Sequence, residues 1–350
     1  MSASLKVTIA LIAVFVWQTG GLSQLATGDE HTTNYVLIPS QSWPCGMTNG
    51  IPVPESGTPV FKATLKLDQV FNIGQTPYGF RRVYVIQGGA LAGEKIHGAV
   101  MGGGLDFELS FTNNVMELEQ ILVLRTDDGQ YIYLRSAGTA ANPDDVRMVL
   151  NFEAPNASRY SWLNTGKFAA RRTVDLAAKT ICLTLFDISA VAVRTDATNS
   201  IRVTKSANFP DQPWNYRQAA AGEKRGDQII SEHVTLGAGQ PVGATKGGGR
   251  NIIPITGGTC RGKISGKVLN AGADYQKLAS PMTLDARYLW QTDDGEVIIV
   301  RNGGTLALLA PRFEVREDSK YAWLNRGTFL SSGPNLSADG VGLAFYQSNP

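Results

Sequence analysis

The chain is short of the residues on which most enzyme chemistry rests. It carries three cysteines and three histidines in 350 residues, and His31, His97 and His233 are scattered along it. No HExxH and no paired-cysteine spacing occurs, which argues against a His/Cys metal centre. A Gly-x-Ser-x-Gly nucleophile elbow is missing as well. The glycine-rich stretches at Gly237-x-Gly239 and Gly247–Gly249 lack the spacing and strand-to-helix setting of a nucleotide loop, so no cofactor is expected. Charged residues make up 18% of the chain and the net charge is +2 with no basic stripe, which speaks against nucleic acid as a partner. No charge run marks a disordered interaction tail. After the N-terminus no apolar run is long enough to cross a bilayer.

The one marked apolar run is N-terminal. Lys6 precedes Val7–Trp17 (VTIALIAVFVW) and then TGGLSQ. That is the order of a secretory signal peptide, expected over residues 1–23, which places the protein in the secretory pathway as a secreted or lumenal glycoprotein. Asn156-Ala157-Ser158 and Asn335-Leu336-Ser337 are glycosylation sequons. Cys45, Cys182 and Cys260 allow one disulfide with one thiol left over. The expected pair is Cys45–Cys182, Cys45 lying just outside the first repeat and Cys182 near its end. Cys260 aligns with Leu91 and is expected to be a buried free thiol.

What the chain has in quantity is glycine, 38 residues, and self-similarity. Gln120–Arg135 (QILVLRTDDGQYIYLR) is answered by Arg287–Arg301 (RYLWQTDDGEVIIVR), and Ser158–Phe168 (SRYSWLNTGKF) by Ser319–Phe329 (SKYAWLNRGTF). Two copies of one domain follow, over 59–188 and 231–350. A Thr/Ser/Pro/Gly-rich arm at 24–58 precedes them, and a linker or excursion at 189–230 joins them. Trp214 and Tyr216 imply that part of this excursion packs onto a domain. Period-two stretches predict strands at Phe61–Leu67, Arg82–Gln87, His97–Met101, Ile121–Arg125, Tyr131–Arg135, Val149–Phe152 and Thr180–Phe186, with counterparts in the second copy. Asp128-Gly129 and Asp294-Gly295 read as two-residue hairpin turns with positive φ at both positions. The fold class is all-β, with an antiparallel sandwich or barrel in each half.

Among the repeated residues, the glycines and the second aspartate of each hairpin answer to turn geometry. Arg135 shares a strand face with Tyr131 and Tyr133, and Arg301 is its counterpart. If that face points into the barrel, the guanidinium needs a buried acceptor such as Asp106 or Asp127. It then either closes the barrel as an ion pair or offers a donor fork to a ligand oxygen. Tyr160, Trp162 and Asn164 fall on one side if their segment is extended, as do Tyr321, Trp323 and Asn325. They form a wall for a flat organic ligand, or the tryptophans plug the core.

The second half also carries Arg250-Asn251-Ile252-Ile253-Pro254-Ile255-Thr256-Gly257-Gly258, Gly272-Ala273-Asp274-Tyr275, Thr292-Asp293-Asp294-Gly295, Val300-Arg301 and Tyr321-Ala322-Trp323-Leu324-Asn325. Together these resemble the domain-of-unknown-function family 3237. The first half is more divergent, with Val85-Ile86-Gln87 before Gly88-Gly89 and Gly102-Gly103-Gly104-Leu105-Asp106 in place of the Gly-Ala-Asp block. The resemblance implies two tandem calycin-like antiparallel β-barrels packed together. By architecture alone it is also similar to secreted fungal hetero-Diels–Alderases of tropolonic sesquiterpene pathways. That likeness implies a cofactor-independent cyclase acting on hydrophobic small molecules, such as a quinone-methide diene and a terpene alkene. Under it, Arg135, Arg301, Asn164 and Asn325 would be the catalytic donors. Tyr131, Tyr133, Tyr160, Trp162, Tyr321 and Trp323 would be substrate-binding walls. The alternative is a secreted barrel that carries a hydrophobic small molecule without turnover.

Overall fold

Short alternating segments punctuated by glycine fold into two closed barrels in the computed structural model, which describes residues 35–40, 49–196 and 198–349. A short strand β1 (Val36–Ile38) leads in. The first barrel comprises β2 (Thr58–Thr76), β3 (Gly79–Ala92), β4 (His97–Val100), β5 (Gly104–Ser110), β6 (Met116–Thr126), β7 (Tyr131–Ala140), β8 (Arg147–Glu153), β9 (Phe168–Asp175) and β10 (Thr180–Asp187). Strand β11 (Ser200–Arg202) pairs in parallel with β1. The second barrel comprises β12 (Lys224–Leu236), β13 (Gln240–Thr245), β14 (Gly248–Gly262), β15 (Gly266–Leu278), β16 (Thr283–Thr292), β17 (Val297–Thr305), β18 (Leu308–Glu314), β19 (Phe329–Ser331), β20 (Asn335–Leu336) and β21 (Gly340–Asn349). Strand β12 thus begins inside the stretch expected as linker. The signal segment and Cys45 lie outside the described residues, and with Cys45 the expected disulfide.

All barrel pairings are antiparallel. In the first barrel β4 and β5 share one place between β3 and β6, and β2 closes the ring by pairing with both β3 and β10. In the second, β12 pairs with both β14 and β21, and β13 continues along β14. The registers superpose copy on copy: Leu65 pairs with Gly89 as Val234 pairs with Gly258, and Leu122 with Leu134 as Tyr288 with Val300. Among the described residues the only helices are three one-turn 3-10 segments, at Pro54–Ser56, Ser161–Asn164 and Ala322–Asn325.

Each barrel has an apolar lumen, and the outer faces of the two barrels bury two further apolar clusters between them. Ile132 and Leu134 of β7 point into the first lumen, whereas Tyr133 points outward and packs with Ile252, Ala273 and Tyr275 of the second barrel. This is why β6 is apolar over Ile121–Leu124 without alternation: both of its faces are covered. The excursion after the first barrel seals this seam. Val203 and Trp214 are buried beside Val83, Leu105, Leu289 and Ile299, and the Tyr216 ring lies against Gly303.

Candidate functional site

The motifs that the two copies share touch each other at one end of each barrel. In the first, the Tyr160 hydroxyl donates to Asp128 Oδ1 at 2.9 Å; in the second, Tyr321 donates to Asp294 Oδ1 at 2.9 Å. Asn164 accepts from the backbone N–H of Ala154 and returns a bond to its carbonyl, at 2.8 and 2.9 Å. Asn325 does the same for Val315 at 2.9 and 2.8 Å. The segment expected to be extended is a 3-10 turn because this amide clamps it, a local competition that asparagine favours. The turn aims Trp162 at the edge of Phe168 and Trp323 at the edge of Phe329. These residues latch and plug one end of each barrel, and the amides of Asn164 and Asn325 bond to backbone, that of Asn164 donating also to Asn156 Oδ1 at 3.0 Å.

The hairpin differs from expectation as well. Asp127 and Asp128 form the turn, Thr126 accepts from Gly129 N, and only Gly129 takes positive φ (84°); Gly295 (93°) repeats this. This is a turn followed by a left-handed glycine and not a two-residue turn.

Arg135 and Arg301 face the seam between the barrels and not a lumen. The acceptor of Arg135 is Glu119, at 2.7 Å, in place of Asp106 or Asp127, and its other donors reach Asn215 and the Trp214 carbonyl. Arg301 meets Glu314 at 3.2 Å and lies over the Phe107 ring. Tyr133 is stacked under Arg250, and Tyr131 beside Arg125. None of the sequence-predicted ligand residues lines the apolar cavity of the second barrel. Asn156 and Asn335 are exposed. Cys182 is half-buried, and Cys260 is a buried free thiol, pushed up to about 12 by burial.

The cavity lies at the opposite end of the second barrel, with a volume of about 340 Å³. Its walls are apolar, among them Leu236, Ile255, Leu284, Leu309, Val341 and Leu343, and its polar points are Asp274, Gln276, Tyr288 and Asn302. Asp274 on β15 accepts from the Asp285 N–H at 3.0 Å and from Gln276 Nε2 at 2.9 Å. Burial outweighs both bonds and pushes its carboxyl up to about 6. Asn302 donates to Ser331 Oγ at 3.3 Å, and its buried carbonyl oxygen has no partner among the described residues.

The first barrel shows what the same place looks like when closed. Asp106 occupies the register of Asp274, and Arg172 clamps it at 3.0 and 3.2 Å while Gln120 donates at 2.7 Å. Arg172 also reaches Glu108 at 3.2 Å and covers the Tyr84 ring. By the shared register, Ala286 stands where Gln120 stands, and β19 ends at Ser331, short of the place on β9 that Arg172 holds. Asp274 thus has no cationic neighbour among the described residues, and a carboxyl perturbed by burial in a cavity is a functional-site candidate. The repeat of Asp106 as Asp274 was visible in sequence; the missing arginine was not, because β9 and β19 differ in length.

A family model described as "Protein of unknown function (DUF3237)" matches residues 55–191 and 227–309. A UPF0311 protein of Rhodopseudomonas palustris is 34% identical over 96 residues, which cover 27% of this chain and 63% of that protein, so the match spans less than two thirds of the relative. The crystal structure of a conserved protein of unknown function from R. palustris aligns at 27% identity with a TM-score of 0.33, covering 37% of this chain and 95% of its own. An enzyme from Penicillium herquei aligns at 20% identity with a TM-score of 0.29, covering 36% and 91%.

Proposed function

We propose that this chain, which belongs to the DUF3237 family, holds a hydrophobic small molecule in its second barrel and cyclises it by positioning and acid assistance. One observation carries the reading: Asp274 stands in an apolar cavity with no cation beside it among the described residues, while its counterpart Asp106, also pushed up by burial, is clamped by Arg172. A carboxyl held near 6 keeps part of its protons at neutral pH and still gives them up readily. The apolar walls suit a terpene-like or aromatic skeleton, and Gln276 and Asn302 supply hydrogen bonds that orient its oxygens.

The chemistry that fits is the hetero-Diels–Alder type. Asp274 protonates a benzylic hydroxyl, which leaves as water, and the neighbouring phenol gives up its proton to yield a quinone methide. An alkene held alongside then adds across it, forming one C–C and one C–O bond. The protein's contribution to that step is the entropy saved by holding both partners in contact. The test is incubation with a 2-(hydroxymethyl)phenol and a terpene alkene, with products read by mass spectrometry. The expected result is an adduct formed with loss of one water, at a rate that Asp274→Asn lowers on the order of 100-fold. A ligand that quenches tryptophan fluorescence and returns unchanged identifies a carrier instead, and overturns the catalytic reading.

A further inference from the structure

Beyond Asp274, the second lumen contains a second carboxyl that the fold does not require. Glu232 on β12 is buried. Its Oε1 accepts from the Tyr288 hydroxyl at 2.6 Å and its Oε2 from Trp290 Nε1 at 2.9 Å. In the register of the first barrel the same three positions are Ala63, Leu122 and Leu124, all packed in an apolar core. One barrel of this chain therefore closes with aliphatic residues where the other installs a carboxyl, a phenol and an indole. A buried carboxyl without a cation disfavours folding, so packing alone gives no reason for it.

The geometry points to a proton relay: we propose that Tyr288 accepts the proton of a ligand hydroxyl while passing its own to Glu232. The inference rests on the cavity reading above and supplies the base that the reading lacks. Tyr288 lines the cavity, and its single hydroxyl proton is directed at Glu232, which leaves the lone pairs of its oxygen to accept from a ligand donor. In the step, the ligand O–H breaks, its proton joins the Tyr288 oxygen, and the Tyr288 proton joins Glu232 Oε1. Tyr288 is neutral before and after. Glu232 ends protonated and the ligand ends as an oxyanion, ready to expel the leaving group that Asp274 protonates. The ligand class is accordingly a phenol or enol with a second oxygen substituent one carbon removed.

The acid–base values of the two groups suit these roles. Burial pushes Glu232 up to about 7, and burial together with Glu232 pushes Tyr288 well above its ordinary range, which makes it a conduit and not a base. The titratable groups facing this pair are Cys260 on β14, Asp274 on β15 and, beyond Cys260, Asp293 in the β16–β17 turn. None of them is cationic.

The experiment uses the full chain and 2-naphthol, which on excitation transfers its proton to a nearby acceptor and then emits in a separate naphtholate band. Bound 2-naphthol is expected to show that band at pH 8, and the band fades as pH falls through about 7, where Glu232 takes up its proton. Glu232→Gln and Tyr288→Phe are expected to lower it at least fivefold, while Asp274→Asn keeps it. The wild-type pH profile needs no variant to fold. Binding with neutral emission only, a flat pH profile, or loss in Asp274→Asn alone overturns the relay and leaves the cavity standing. Failure of 2-naphthol to bind overturns both.

Discussion

At the scale of single residues, the second barrel keeps groups that oppose its own stability. The Asp274 carboxyl sits near 6 in the fold and near its ordinary value in the unfolded chain. The folded state therefore holds a proton that the unfolded state releases first. Its contribution is neutral at low pH and turns unfavourable as pH rises from about 4 through about 6, then levels off. Asp274→Asn, which cannot ionise, is expected to match wild type near pH 4. At pH 8 it should exceed wild type in stability by on the order of 2 kcal/mol. Urea midpoints at the two pH values measure the difference. Glu232 titrates alike in both proteins, so the comparison isolates Asp274. Equal stability at pH 8 would show that the cavity hydrates this carboxyl as water does. A stabilising substitution that slows turnover is the signature of a residue retained for chemistry.

At the scale of elements, the repeated motifs join hairpin to 3-10 turn. Asn325 exchanges two bonds with Val315, so Asn325→Ala strips the partners from a half-buried N–H and C=O. The expected loss is about 2 kcal/mol in a urea titration, with 2-naphthol affinity of the folded protein unchanged because the latch lies at the far end from Asp274. Tyr321→Phe gives up the bond to the half-exposed Asp294 and a contact with the exposed Lys320, and is expected to lose about 1 kcal/mol or less. The same elements explain what was legible in the chain. Strand positions and the tandem all-β plan follow from local alternation and from two copies of one pattern. The direction of the Tyr131–Arg135 face did not, because β7 is covered on both sides and alternation alone cannot say which side is lumen. The turn at Trp162 was hidden because Asn164 decides its conformation through a partner ten positions earlier in the chain. Asp274 was visible as a repeated residue, but its meaning depends on β19 ending before the place that Arg172 holds on β9, a relation set by barrel closure.

At the scale of the whole molecule, the barrels meet through paired, nearly twofold contacts, as the two copies of a symmetric dimer do. Glu314 of the second barrel takes Arg81 Nε at 2.7 Å and Thr76 Oγ1 at 2.9 Å from the first. Glu153 of the first takes Arg250 Nε and Thr245 Oγ1 of the second, both at 2.9 Å. Backbone bonds repeat the relation, Glu317 N to Gln75 O and Asn156 N to Ala244 O, each 2.8 Å. The two charge clusters are not equal. Arg81, Glu314 and Arg301 are at most 1% exposed, and Glu314 alone answers two guanidiniums. Arg250 and Glu153 keep 12% and 8% exposure, and Arg250 also rests on the Tyr133 ring. Neutralising Glu314 leaves two buried cations facing each other, and burial with the neighbouring Arg81 already draws Arg301 down to about 10. Glu314→Gln is therefore expected to lose about 3 to 5 kcal/mol, and Glu153→Gln clearly less, with water and Tyr133 compensating Arg250. Because the seam is shared, both losses should appear in one transition, followed together by fluorescence and circular dichroism. Two separated transitions in wild type, or equal losses in the two variants, would refute this account of the seam.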